Sequence, residues 1–197
     1  MKAAQTAFLS DDLFTQREFR RWLDERPSSD INHYELLDGR IVMTPPAGWT
    51  HSDVATQLVR ALSDHVVRHS LGKVFESSAG YELPSGDTLE PDVSFVSTAR
   101  FATRLPRTPN QFLRMAPNLV VEILSPSTAR RDQTEKKDIY ARNGVDEYWI
   151  VDPTKRIVTV FSLVRRRYAT GRAFKAGRIR SRVLPGLDLA VEHVFAR

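Results

Sequence analysis

The sequence predicts an α/β (α+β) fold, a mixed β-sheet flanked by helices. Three stretches carry that reading. "NLVVEIL", "SPST", "RRDQTEKKDIYARNG" and "VDEYWIVDP" read as strand, turn, helix and strand, and such a crossover normally joins neighbouring parallel strands. "YELLDGRIVM" reads as an antiparallel hairpin turning at Asp38-Gly39. From His51 to His69 the residues Val54, Ala55, Leu58, Ala61, Leu62, His65 and Val66 recur at helical spacing, the pattern of a long amphipathic helix.

The other elements follow in order. In "TQREFRRWLDE", Thr15 and Glu18 form a capping box, and Phe19, Trp22 and Leu23 share a helical face. "KVFESSAGYEL" and "DTLEPDVSFV" read as two strands separated by the Pro84–Gly86 turn, and a basic loop follows from Arg100 to about Pro117. Gly144 closes the crossover helix. "RIVTVFSL" and the "YAT…FKAG" region add antiparallel strands, and "LPGLDLAVEHVF" ends the chain. No repeat or Pro/Ser-rich linker divides the sequence. One domain over residues 1–197 is therefore expected, with 1–30 as an N-terminal helical extension.

Composition narrows the function classes. With 41% hydrophobic and 27% charged residues, the chain has the balance of a globular protein with a sizeable core. No apolar run approaches the ~18 residues of a membrane span, and the first residues lack the apolar core of a signal peptide. The absence of cysteine removes disulfides, thiol nucleophiles and Cys-based zinc sites, and fits a reducing cytoplasm, the expected location. A formal charge of +5 permits a polyanionic partner without requiring one.

The acids in the strands are the anomaly. In "NLVVEIL", Leu119, Val121 and Ile123 point one way while Val120, Glu122 and Leu124 point the other, so Glu122 lies among apolar neighbours. An ionised carboxylate there costs several kcal/mol unless a cation or hydrogen bonds compensate. Either a structural Arg or Lys partner or a metal ion would serve. Asp92 follows a proline at the start of another strand, Glu35 precedes Leu36 and Leu37, and Asp132 and Lys136 stand at i and i+4. A solvated salt bridge is the plain reading of that last pair. Carboxylates at strand ends with one lysine also form a set suited to phosphodiester hydrolysis. Their oxygens hold Mg²⁺, the ion acidifies bound water, and the ammonium stabilises developing charge.

At these residues the sequence resembles the PD-(D/E)XK nuclease superfamily and, within it, the restriction-endonuclease family of the Uma-two type. The matching stretches are "YELLDGRIVM", "HSDVATQL", "EPDVSFV", "LVVEILSPST", "DQTEKKDIYARNGVDEYWIVDP" and "LPGLDL", spanning about Tyr34 to Leu189. The resemblance implies a restriction-endonuclease-like core, a divalent metal (Mg²⁺ or Mn²⁺) at the sheet edge, and DNA as substrate. By motif, Asp92 and Glu122 are the acids of the two signature elements, and Glu35 is the early acid that completes such sites. All three are implied metal ligands. In the simplest pattern the lysine lies two residues after the second acid. Leu124 stands there, and Lys136 on the following helix is the candidate, with Lys137 as fallback. His51 matches a family position; a phosphate contact, a partner to a site acid and a structural helix histidine are all open readings.

The remaining polar residues carry weaker signals. His65 and His69 are spaced for zinc, but no third ligand is evident and a helix face explains them. Arg165, Arg166 and Arg167, with the arginines that follow, offer either a solvated strand face or a DNA-backbone surface. The expectation is a Mg²⁺-dependent endodeoxyribonuclease with no membrane partner; a homodimer would suit double-strand cleavage. The alternatives are a catalytically inactive binding or assembly module of the same fold, and a metal-free carboxylate-pair glycosidase.

Overall fold

The computed structural model describes residues 8–103 and 112–195. The expectations for 1–7 and for 104–111 in the Arg100–Pro117 loop lie outside the described residues. The N-terminal layer is β1 (Phe8–Leu9), α1 (Gln16–Asp24), β2 (His33–Leu37) and β3 (Arg40–Thr44). The capping box forms as expected: Thr15 N–H donates to Glu18 Oε2 at 2.8 Å, and Glu18 N–H donates back to Thr15 Oγ1 at 3.3 Å. It seats α1 so that Phe19 packs against Leu36 and Ile41 of the hairpin. Asp38 and Gly39 both adopt positive φ, 47° and 81°, which is the geometry a two-residue hairpin turn requires. β1 pairs with β3, so the N-terminal segment adds an edge strand as well as a helix.

Next come α2 (Trp49–Arg68), β4 (Gly72–Glu76), β5 (Tyr81–Glu82), β6 (Thr88–Leu89) and β7 (Val93–Ser97). Here the structure differs from the two-strand expectation. Each run divides, sending β4 and β7 to one sheet while β5 and β6 join the hairpin in the order β1-β3-β2-β6-β5. The breaks fall at residues that disfavour a continuous ladder. A Cβ on Gly80 would lie 2.4 Å from the Phe112 ring, and Pro91 has no N–H to donate.

After α3 (Thr98–Ala102) come β8 (Leu119–Ile123), α4 (Ala129–Gln133), α5 (Glu135–Arg142) and β9 (Glu147–Asp152). β8 and β9 are parallel, as the crossover predicts. The expected single helix is broken at Thr134, whose φ/ψ of −124°/−89° is not helical and whose hydroxyl donates to the Arg130 carbonyl at 2.8 Å. Gly144, at φ 80°, follows the end of α5. The chain ends with β10 (Ile157–Val164), β11 (Arg167–Tyr168), β12 (Arg172–Phe174), β13 (Arg178–Ile179), β14 (Leu189–Ala190) and α6 (Val191–Val194).

The central sheet runs β11-β10-β9-β8-β7-β4, with β12 beside β10. Its two faces read directly from the strand alternation. Leu119, Val121 and Ile123 pack with Val54, Leu58, Leu62 and Val66 of α2. Val120 faces the other way, with Ile139 and Tyr140 of α5 and Leu37 of the hairpin. Glu122 belongs to this second face. Among the described residues no helix is long and apolar enough to cross a membrane.

Candidate active site

The site is assembled where β7 and β8 lie side by side. They pair antiparallel with Val93 opposite Val121, a register that sets Asp92 beside Glu122. Asp92 Oδ2 accepts the Ile123 N–H at 2.7 Å and lies 3.1 Å from His51 Nε2 at the start of α2. The structure thus places His51 against a site acid, one of its open readings.

From the opposite layer, α5 delivers Lys136 and Tyr140, one helical turn apart. Lys136 Nζ stands 2.7 Å from Glu122 Oε1, 2.9 Å from Glu35 Oε1 and 3.9 Å from Asp132 Oδ1. Tyr140 donates to Glu122 Oε1 at 3.0 Å. Glu35, projecting from β2, also accepts the Glu90 N–H at 2.9 Å. The hairpin bearing Glu35 is tied to the helix bearing Lys136 through Arg142, which reaches Asp38 at the hairpin turn and Asp87 at 2.8 Å. Asp92, Glu122, Glu35 and Lys136, widely spaced in sequence, are therefore brought together. Lys137 points elsewhere, with its ammonium 3.8 Å over the Phe161 ring.

These groups border a cavity of about 450 Å³, whose wall also includes His33, His51, Glu90, Ser125, Thr128, Arg131 and Asp132. Its electrostatics are strained toward negative charge. Burial pushes the Glu122 carboxyl well above its usual range; Lys136 offsets this in part, while Asp132, Asp92 and Glu35 reinforce it. Burial likewise raises Asp132, to about 6, against the pull of Lys136 and the Thr128 hydroxyl. For Lys136, burial would depress the ammonium, but Glu122, Glu35 and Asp132 override it and hold its pKa well above the ordinary value. The three carboxylates thus favour the charged ammonium of Lys136, which donates to Glu122 and Glu35. Burial would also lower His51, yet Asp92 raises it on balance.

A hard divalent cation fits the donor chemistry here. Each acid is held through one oxygen: Oδ2 of Asp92, Oε1 of Glu122 and Oε1 of Glu35. Among the described residues no group of three or more His, Asp or Glu side chains is arranged to hold a metal ion. Mg²⁺ asks for fewer protein ligands than such a group, since it typically takes one or two carboxylates and keeps several waters. Asp92 and Glu122 fit that role best. Glu35 Oε1 is engaged by both Lys136 and the Glu90 N–H.

A family model described as "Uma2: Putative restriction endonuclease" matches residues 17–192. The chain belongs to the Uma2 family. A solved structure described as a putative nuclease belonging to DUF820 from Anabaena variabilis superposes with a TM-score of 0.74. It is 20% identical, with 93% of this chain and 98% of that one covered, and it establishes a shared fold. No curated protein matches the sequence.

Within this Uma2 chain, several wall residues escaped sequence reasoning. Arg131 lines the cavity. Glu90 lies two residues before Asp92 and pairs with His33 at 3.2 Å. Its place in "LEPD" was a usable signal; Arg131, in the run "ARRDQTEKK", had none. Arg165, Arg166 and Arg167 are not brought to the cavity. Arg165 and Arg166 form the left-handed turn between β10 and β11, and all three are exposed.

Proposed function

We propose that this chain is a metal-dependent endonuclease that hydrolyses DNA phosphodiester bonds. The observation that carries the reading is the buried ammonium of Lys136, 2.7 Å from Glu122, on the wall of the cavity that Asp92 also lines. A Mg²⁺ or Mn²⁺ ion held by Asp92 and Glu122 would acidify water and neutralise charge on the phosphoryl oxygens. Lys136 donates hydrogen bonds to the attacking water or to the phosphoryl oxygens, and Glu35 fixes its position. His51 orients Asp92. Arg131 supplies a planar cation to a non-bridging phosphate oxygen. In the balanced reaction, water adds to phosphorus, the P–O bond to the leaving sugar oxygen breaks, and the proton lost by water matches the one that oxygen gains.

The test is plasmid nicking with Mg²⁺ by the parent and by Glu122→Gln. The expected result is loss of at least ~10²-fold in rate; equal cleavage by both would overturn the assignment. A second reading, a binding or assembly module that has kept the fold alone, draws on the satisfaction of Glu122 Oε1 by Lys136 and Tyr140 without a metal. Calorimetry with Mg²⁺ and Mn²⁺ separates the two, since the module reading expects no binding at millimolar ion.

A further inference from the structure

Trp49 is the first residue of α2, and 72% of its surface is exposed. The other tryptophans are spent on packing: Trp149 is fully buried, and Trp22 stacks within the α1–hairpin cluster against Phe19 and Tyr34. Among the described residues Trp49 belongs to no core cluster. Its location is the informative part. Gly48 before it and His51 and Ser52 after it all line the acidic cavity. Trp49 is not itself a wall residue, but it stands in the chain between Gly48 and His51, which are, so its backbone lies at the border of the cavity. Ile31, also 72% exposed, leads into β2, whose first residue His33 lines the same cavity and pairs with Thr44, another wall residue. An exposed aromatic residue is thus placed by its chain neighbours beside a cavity whose wall includes Arg131.

We propose that Trp49 is a stacking platform for an unpaired nucleobase next to the phosphate held in the cavity, so that the site takes single-stranded or frayed DNA in preference to a closed duplex. This inference rests on the nuclease reading above. A base in a closed duplex has both faces covered by its neighbours, whereas an unstacked base presents a π-face to an indole. Indole stacking tolerates any base, so the platform confers a preference for strand state without one for sequence. An exposed aromatic residue next to the cavity and an arginine among its wall residues also suit the two parts of a nucleotide, base and phosphate.

The experiment measures binding of a labelled single-stranded oligonucleotide by anisotropy, in EDTA so that nothing is cleaved. Parent, Trp49→Ala and Trp49→Phe are compared on three probes: the single strand, the blunt duplex of the same sequence, and a strand of equal charge with abasic central positions. Circular dichroism checks that each variant is folded. The expected result is that Trp49→Ala weakens binding of the single strand about tenfold. Trp49→Phe should retain most of the affinity, and the variants should not differ on the abasic strand. The single strand should also quench tryptophan fluorescence in the parent and much less in Trp49→Phe. Equal single-strand affinity of parent and Trp49→Ala, in a protein that still cleaves DNA, would overturn the platform alone. A parent that binds none of the probes, and cleaves none of them once Mg²⁺ replaces EDTA, would overturn the platform and the nuclease reading together.

Discussion

Replacing Lys136 by Met isolates the central physical claim. The substitution keeps the stem length, removes the charge, and leaves Glu122, Glu35 and Asp132 around a 6%-exposed side chain with no counter-ion. At an effective dielectric of about 20, each contact has a gross Coulomb energy of ~4–6 kcal/mol, most of it offset by desolvation. Deleting one partner of a buried pair costs about 3–5 kcal/mol net. For a chain of this size that lowers Tm by roughly 6–20 °C. The assay is thermal denaturation of parent and variant, first in EDTA and then in millimolar Mn²⁺. With the ammonium gone, a divalent ion becomes the remaining compensation, so Mn²⁺ should stabilise the variant more than the parent, and the variant by ~2–3 kcal/mol over its EDTA value when the ion is at about 100 times its Kd. A loss below about 1 kcal/mol in EDTA would refute the burial argument. A full loss that Mn²⁺ leaves untouched would refute the cation site and leave Lys136 a purely structural partner.

Two further predictions concern the opposite face of the sheet. Glu147 is fully buried and accepts from Trp149 Nε1 at 2.9 Å, Ser181 Oγ at 3.0 Å and Arg182 N–H at 2.8 Å. Glu147→Ala strands these donors and should cost roughly 2–5 kcal/mol in urea denaturation, at about 1–3 kcal/mol per unsatisfied donor; a change under ~0.5 kcal/mol would remove its role in fastening the 181–183 segment. His65 donates from Nε2 to the Pro185 carbonyl at 3.1 Å, and burial, with His69 and Arg68, lowers its pKa below 6.5. Its folded form is neutral while the unfolded chain takes up a proton near pH 6.5. The stability it contributes is therefore present above that pH and lost as pH falls through the folded pKa. The stability gap between parent and His65→Gln should shrink from pH 7.5 to pH 5, and a gap independent of pH would count against this.

Much of the site was legible because period-two alternation fixes side-chain direction. Glu122 had to share a face with Val120, and it does so in the second core. The hairpin turn and the capping box were legible because their chemistry is local. What was hidden depended on distant pairings. The division of two runs among two sheets turns on Gly80 meeting Phe112, an encounter across 32 residues of chain. Glu147 read as an ordinary acid flanking "YWIV" because its donors at Ser181 and Arg182 lie more than thirty positions away. The broken crossover helix was missed because Thr134 is tolerated in a helix, and only its hydroxyl's bond to Arg130 shows the distortion.

The position of the lysine is the most instructive departure. A lysine two residues after Glu122 would lie on the same strand face, where Leu124 instead packs against the second core. The ammonium must then come from the layer above that face, which is α5. Lys136 and Tyr140, one turn apart, are two positions on that helix from which side chains reach Glu122 Oε1. Thr134 separates α4 from α5 just before Lys136, so the two helical segments need not share one axis. Asp132 on α4 still lies 3.9 Å from Nζ, which places it at the outer edge of the ion-pair network while Glu122 and Glu35 hold the close contacts. The helix break thus allows α5 to set the lysine by its own packing, through Ile139 and Tyr140, independently of the turn that leaves β8. The chemistry requires a charge at a point in space, and a fold can meet that requirement from a helix as well as from the strand.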